Sequence, residues 1–138
     1  MESLHYLLMK SHTLLQRRIA AGAAQLGLTS GQPKILDFLW RCGESDQKSI
    51  AAYCEIEQTT VGSILLRMEK ADLITRRQRE GNRRSLYVSL TDKGYAAAEK
   101  MQQIFEEAEA EALKYISHEE AEKLKDALAE ISKTLSGS

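Results

Sequence analysis

The fold of this chain is decided by residues 58–90, which run QTTVGSILLRMEKADLITRRQREGNRRSLYVSL. The first part of this stretch predicts a helix, because its apolar residues recur at intervals of three and four along one face. Those residues are Val61, Ile64, Leu65 and Met68. The remainder predicts two short strands joined by a basic tip at residues 79–84. A helix followed by such a hairpin suits duplex DNA, since one element can enter the major groove while the other contacts phosphates.

The face of this helix opposite the apolar stripe carries small polar and charged side chains. It consists of Thr59, Thr60, Ser63 and Arg67. Taken alone, such a set is typical of an ordinary solvated helix face. Because an arginine-bearing hairpin follows at the distance that a DNA-binding domain requires, contact with bases and phosphates becomes the preferred interpretation.

The hairpin turns at Gly81 and Asn82, residue types that adopt the positive backbone dihedrals a tight turn needs. Arg83 and Arg84 follow at the tip and are expected to contact phosphates. The arginines before the turn are Arg76, Arg77 and Arg79. These three either contact phosphates or form a charged strand edge that discourages pairing with another chain.

The charges are unevenly distributed along the chain, which has 138 residues and a formal net charge of −1. Residues 58–84 hold seven Lys and Arg against three Asp and Glu, a local charge of +4. Residues 99–130 hold four Lys against ten Asp and Glu, a local charge of −6. The basic middle is therefore the predicted DNA face, and the acidic segment is expected to keep DNA off the other side.

Composition also indicates the compartment. The sequence has no apolar run that would cross a bilayer and no charged-then-apolar beginning of the kind that directs secretion, so a cytoplasmic protein without a membrane partner is expected. Its two cysteines are too few for a disulfide scaffold and are usually small buried residues. Reactive thiols need exposure and nearby cations. Cys42, beside Arg41, is therefore a better candidate for an oxidation sensor than Cys54, beside Glu55.

Helical patterns flank the central stretch on both sides. Apolar residues spaced by three and four predict a first helix from Leu4 to Ile19, and a second helix begins near Pro33 and ends near Gly43. A short third helix precedes residue 58, and two longer helices follow the hairpin. Capping residues are predicted at Thr29 with Gln32, at Ser45 or Asp46, at Thr91, and at Ser117 with Glu120.

The predicted fold is mainly α, in the α+β class: a winged helix-turn-helix whose N- and C-terminal helices form a homodimerisation bundle. The outer helices are long and striped but are not needed to complete a winged-helix core, so a second copy of the chain is expected to bury their stripes. Two-fold symmetry then sets two recognition helices ~34–36 Å apart and predicts a pseudo-palindromic operator. The predicted segments are a dimerisation helix (1–28), a winged helix-turn-helix DNA-binding domain (29–92) and C-terminal dimerisation helices (93–138).

Four segments carry a family pattern: residues 27–32 (GLTSGQ), 59–61 (TTV), 66–76 (LRMEKADLITR) and 82–94 (NRRSLYVSLTDKG). The last contains a wing followed by the Leu-Thr-x-x-Gly start of a long helix. Together the segments resemble the MarR family of bacterial transcriptional regulators over nearly the whole chain. This resemblance implies a homodimer with interlocked terminal helices, a fourth helix in the major groove and wings in adjacent minor grooves. It also implies a repressor that is released by a small molecule or by cysteine oxidation.

The resemblance assigns roles by position. On the fourth helix, the residues facing bases and nearby phosphates are Gln58, Thr59, Thr60, Ser63 and Arg67. For the wing, the resemblance assigns Arg83 and Arg84. The predicted DNA-binding wing also includes Arg76, Arg77, Arg79 and Asn82. Two residues depart from the family pattern. Asn82 stands where an aspartate usually holds the wing arginine, and Gly62 replaces a helix-favouring residue at a cost of ~1 kcal/mol relative to alanine.

Some members of the family keep a ligand cleft between the helical bundle and the winged helix. The placement of the predicted helices assigns His12, Arg17 and Trp40 to the lining of such a cleft, and the resemblance implies a small aromatic or lipophilic molecule as the effector. A zinc site built from His5, His12 and His118 is less favoured than packing at a dimer interface, because the histidines lack the usual spacing. No metal and no cofactor is predicted.

An enzyme is not expected, since the sequence has no Gly-rich phosphate loop, no Cys-x-x-Cys and no nucleophile elbow. Two alternatives to a ligand-controlled DNA-binding regulator stay open. The basic hairpin of a winged-helix interaction module would dock an acidic protein, and a thiol-based regulator would sense oxidants through Cys42. DNA binding differs from protein docking in its steep, linear dependence of log affinity on log salt.

Overall fold

The computed structural model describes residues 1–79 and 81–137, and for residues 82–85 it describes the backbone alone. The bounds of its helices and strands are α1 (Leu4–Gln25), α2 (Gln32–Cys42), β1 (Ser45–Asp46), α3 (Gln47–Cys54), α4 (Gln58–Lys70), β2 (Ile74–Arg79), β3 (Asn82–Leu90), α5 (Asp92–Ala112) and α6 (His118–Leu135). The protein is mainly helical, and α2 to β3 form the predicted winged helix-turn-helix.

The helices begin close to the predicted caps, with one correction at the start of α2. Of the two cap candidates for α3, Asp46 forms the cap, since its Oδ1 accepts a hydrogen bond of 2.7 Å from a backbone N–H in the first turn. Half of the Thr29–Gln32 box forms: the Gln32 Oε1 accepts from the Thr29 N–H at 3.1 Å, but the N-cap of α2 is Gly31, with a φ of 85°. The predicted caps of α5 and α6 both accept from the N–H three residues on.

The sheet is antiparallel, with its strands in the order β1-β3-β2. β2 and β3 form the predicted hairpin, which runs from the pair Ile74–Leu90 to the pair Arg79–Asn82. The two-residue strand β1 adds to the other edge of β3 and was not predicted, because two residues are too few to show an alternating pattern. β1 brings the loop after α2 alongside the hairpin.

The core lies where α2, α3 and α4 meet the hairpin and α5. Its largest fully buried side chains belong to Ile35, Leu36, Leu39, Ile50, Val61, Leu65, Met68, Ile74, Val88 and Met101. The predicted inward stripe of α4 is confirmed, and it leaves the other face of that helix to the outside. In residues 1–79 and 81–137, no helix is both long and apolar enough to cross a membrane.

The start of α5 is joined to the chain just after α4. Thr91 donates its Oγ1–H to the Asp72 carbonyl at 2.6 Å and its N–H to the Leu73 carbonyl at 3.1 Å. Gly94 packs so closely on this segment that a Cβ at its position would lie 2.0 Å from the Leu73 carbonyl oxygen. The long outer helix is thereby fixed to the end of the helix that carries the exposed polar face.

Candidate nucleic-acid interface

The outer face of α4 is polar and open to solvent. Gln58, Thr59, Thr60, Ser63 and Arg67 are all exposed. The Ser63 Oγ donates a long hydrogen bond of 3.4 Å to the Thr59 carbonyl, so its lone pairs stay directed outward as acceptors. The face therefore offers hydroxyl, amide and guanidinium groups, the types that contact base edges and phosphates.

Gln47, at the start of α3, supports the first turn of α4. Its Nε2 donates to the Gln58 carbonyl at 3.2 Å, and the same atom lies 3.2 Å from the place of a Cβ on Gly62. Glu57, the N-cap residue of α4, forms no side-chain cap. Sequence reasoning missed Gln47, because no local pattern marks a contact between residues eleven apart.

Arg76 is turned toward the protein. Its Nη2 lies 3.0 Å from the Glu69 Oε1, and its side chain is only 18% exposed. This ion pair joins β2 to the last turns of α4. The arginine thus fixes the hairpin against α4, while its predicted contact with DNA stays a prediction.

Arg77 and Arg79 are separated by one residue on β2. Both guanidinium groups donate to one carboxylate, that of Glu44 in the loop after α2. The Arg77 Nε and Nη2 lie 3.1 and 2.9 Å from the Glu44 Oε2, and the Arg79 Nε and Nη2 lie 3.1 and 2.9 Å from the Glu44 Oε1. The Ser89 Oγ donates to the Oε2 at 2.7 Å. The hydrogen bonds from Ser89 and from the arginines lower the pKa of Glu44 to about 2. Glu44 is therefore a charged centre at neutral pH.

Arg79 also packs on an aromatic ring. Its guanidinium carbon lies 4.0 Å from the centroid of the Tyr87 ring, in a cation–π arrangement. No local motif marks Glu44 as a partner of the hairpin, since it precedes Arg77 by 33 residues and Arg79 by 35. The pairing of β1 with β3 brings the two regions together.

The tip of the hairpin follows these arginines. Gly81 has a φ of 82°, as predicted for the turn. The backbone of Asn82, Arg83 and Arg84 opens β3. Their side chains lie outside the described residues, so their contact with DNA stays a prediction.

A cleft of about 630 Å³ is lined by residues of α1, α2, α4 and α5 and of the loops that precede α2 and α4. His12 and Arg17 are among its lining residues, as are Thr60 and Ile64 of α4. Trp40 does not line this cleft, which corrects the expectation, because its side chain lies on an exposed part of α2. The role of the cleft as an effector site stays a prediction.

The cysteines differ in their surroundings. Cys42 is exposed at the end of α2, whereas Cys54 is buried in the core. Burial raises the pKa of the Cys54 thiol to about 11, which keeps it protonated and unreactive at neutral pH. In the part of the chain that the structure describes, His, Cys, Asp and Glu side chains do not form a cluster of three that could hold a metal ion.

Known proteins resemble the chain in sequence and in fold. The MarR family model matches residues 28–86. The HTH-type transcriptional regulator FarR of Neisseria gonorrhoeae is 29% identical over 109 residues, which cover 79% of this chain and 75% of that protein. The crystal structure of the S. aureus MepR–DNA complex has a TM-score of 0.84 at 27% identity and covers 98% of this chain and 99% of its own. The crystal structure of NadR in complex with 4-hydroxyphenylacetate has a TM-score of 0.83 at 26% identity. It covers 96% of this chain and 94% of its own. The family match includes α4 and most of the hairpin, and the structural matches extend the likeness to the terminal helices.

Proposed function

Because the chain belongs to the MarR family of DNA-binding transcriptional regulators, we propose that it acts as a homodimeric repressor on a pseudo-palindromic DNA operator. Its relatives and fold neighbours are transcriptional regulators and not enzymes. Repression follows where the operator overlaps a promoter, since a bound dimer excludes the polymerase from the same stretch of DNA.

The observation that carries this proposal is the exposed polar face of α4 beside the basic hairpin. With α4 as the recognition helix, Gln58, Thr59, Thr60 and Ser63 contact base edges in the major groove, and Arg67 contacts a phosphate nearby. Arg83 and Arg84 carry the wing to the flanking phosphates. The S. aureus MepR–DNA complex, which has this fold, supports a DNA ligand.

The terminal helices support the homodimer. Within the single chain, α6 buries only Ala121 among its residues 118–135, all of which are described. Leu124, Leu128 and Leu135 lie along one face of α6 and are exposed. Apolar stripes of this kind are stable in water when a partner covers them. A second copy of the chain supplies a matching stripe, and two-fold symmetry then sets the two recognition helices ~34–36 Å apart.

The cleft beside α4 supports control by a small molecule. Apolar walls from Ile19, Ile64 and Phe105 suit an aromatic or lipophilic compound, and Arg17 supplies a cation for an acidic group. The NadR structure contains 4-hydroxyphenylacetate, a compound of this class. Since Thr60 and Ile64 line the cleft, a bound effector contacts the recognition helix itself and favours one of its positions over another.

The proposal is tested by selecting DNA fragments that the purified protein retains and measuring its affinity for the selected operator and for an unrelated duplex. Thr60→Ala and Ser63→Ala are expected to lower the preference for the operator by at least about fivefold, the factor that corresponds to ~1 kcal/mol of base discrimination. Thr134→Ala, the same kind of change on the exposed surface of α6, is the control. If Thr60→Ala and Ser63→Ala both keep the wild-type preference, the assignment of base contacts to α4 is wrong.

The wing is tested separately by salt dependence. Arg83→Ala is expected to reduce the slope of log affinity against log salt by ~0.9 for each phosphate that the wing no longer neutralises. A winged-helix module that docks an acidic protein through its hairpin would instead bind no duplex at low salt, and that outcome overturns the proposed function.

A further inference from the structure

Among the side chains that the structure describes, Glu44 forms ion pairs with two arginines, more than any other carboxylate. Each of its oxygens accepts from one arginine fork, and the Ser89 hydroxyl bonds one of them as well. The Glu44 side chain is only 18% exposed, whereas the Arg77 and Arg79 side chains are 70% and 52% exposed. The carboxylate is therefore enclosed by groups that themselves face water.

The ion pairs with Glu44 reduce the net positive charge of the part of the hairpin that carries Arg77 and Arg79. Arg77 and Arg79 contribute +2 and Glu44 contributes −1, which leaves +1 for the three side chains. Because alternate residues of a strand share a face, both arginines point to the same side of the hairpin. Without Glu44, that side would offer two forked cations close to the basic tip, where DNA phosphates would bind them without regard to sequence.

We propose that Glu44 is a positioning residue that withholds Arg77 and Arg79 from DNA phosphates and so limits the affinity of the wing for unrelated DNA. This inference rests on the proposed DNA-binding function. It assigns Arg77 and Arg79 to the internal support of the hairpin, and it leaves phosphate contact to the residues at the tip.

The competition between Glu44 and a phosphate favours Glu44 for two reasons. First, the carboxylate belongs to the same folded chain, so binding it costs no translational freedom, whereas a phosphate must be brought from solution. Second, a phosphate would have to replace charge-assisted hydrogen bonds of 2.9 to 3.1 Å and draw Arg79 away from the Tyr87 ring. The low pKa of Glu44 shows that the carboxylate keeps its charge throughout the neutral range.

The test is the salt dependence of binding to an unrelated duplex, measured for wild type, Glu44→Gln and the control Glu130→Gln. Both variants remove one negative charge, but Glu130 lies on α6, far along the chain from the wing. Glu44→Gln is expected to steepen the slope by ~0.9 for each arginine that reaches a phosphate. Each arginine that does so corresponds to a further drop of about 3.5-fold in affinity between 50 and 200 mM salt. Glu130→Gln is expected to leave the slope at the wild-type value.

Two further variants separate the shielding of cations from a general loosening of the fold. Adding Arg77→Gln and Arg79→Gln to Glu44→Gln is expected to return the slope to the wild-type value. Glu44→Asp keeps the charge but is one methylene shorter, and it is expected to give a slope between those of wild type and Glu44→Gln. A Glu44→Gln slope equal to or below that of wild type overturns the inference. Failure of the proposed function would look different, since wild type itself would then bind no duplex at low salt.

Discussion

Replacement of Gly94 by alanine tests how the long outer helix is joined to the recognition helix. A Cβ on Gly94 would lie 2.0 Å from the Leu73 carbonyl oxygen and 3.1 Å from the Leu90 Cδ2. The close neighbour is backbone, which does not move aside as the end of a long side chain does. The two segments must part by roughly 1 Å before the carbonyl oxygen reaches even the 3.0 Å that real Cβ atoms require.

Three contributions determine how much Gly94→Ala lowers the free energy of unfolding. Overpacking a tight contact costs up to about 3 kcal/mol. Displacing the Leu73 carbonyl weakens the hydrogen bond that it accepts from the Thr91 N–H at 3.1 Å, which adds about 1 kcal/mol. Alanine recovers up to about 1 kcal/mol through its higher helix propensity. The net expectation is a loss of about 3 kcal/mol in the free energy of unfolding, or a fall of about 10 °C in Tm for a chain of this length.

Gly62→Ala is the matched control, since Gly62 is also a helical glycine. Its Cβ would meet only the flexible Gln47 Nε2, at 3.2 Å. The unfolding free energy of Gly62→Ala is therefore expected to stay within about 1 kcal/mol of wild type. The gain in helix propensity offsets the weaker hydrogen bond from the Gln47 Nε2 to the Gln58 carbonyl. The assay is urea unfolding followed by circular dichroism at a fixed protein concentration. Equal stabilities for Gly94→Ala and Gly62→Ala would refute the steric explanation.

Three further outcomes are expected. Leu128→Glu is expected to produce monomers in light scattering, because it charges the apolar stripe of α6, whereas Lys133→Glu on the opposite face should leave the dimer intact. A thiol reagent at neutral pH should modify Cys42 in the native protein, and Cys54 only after unfolding, because burial raises the pKa of Cys54 to about 11; rapid native labelling of Cys54 would contradict its burial. The pKa of Glu44 lies at about 2 against an ordinary 4.5, so its contribution to the free energy of unfolding is present above pH 4.5 and is lost as the pH falls toward 2. Glu44→Gln should flatten acid unfolding in that window, and an unchanged acid profile would show that the carboxylate adds no stability.

Periodicity predicted the parts of the fold in which near neighbours decide the conformation. The four stripe residues of α4, Val61, Ile64, Leu65 and Met68, recur at helical spacing and are all buried, so the polar set between them faces outward. Val88 alternates with its strand neighbours and is fully buried, as a half-buried strand requires. The structure explains why a glycine stands at position 94 of the family pattern. The Leu73 carbonyl packs so closely on Gly94 that a side chain has no room there.

The features that sequence reasoning missed depend on contacts between distant residues. Glu44 lies in a loop with no charge pattern that links it to Arg77 or Arg79, and the strand that brings it to the hairpin is two residues long. Helix placement alone predicts that Trp40 lines the cleft, and the structure places it elsewhere. In α2 most neighbouring residues are apolar, so hydrophobicity does not indicate which way one of them faces.

The mass of the complex with a selected operator duplex tests the central claim most directly. Two copies of this chain are proposed to hold two recognition helices against one face of DNA. Native mass spectrometry or light scattering is therefore expected to give the mass of the duplex plus twice the 15.5 kDa of one chain. A complex that contains a single chain, or a duplex that stays unbound at low salt, would contradict the account.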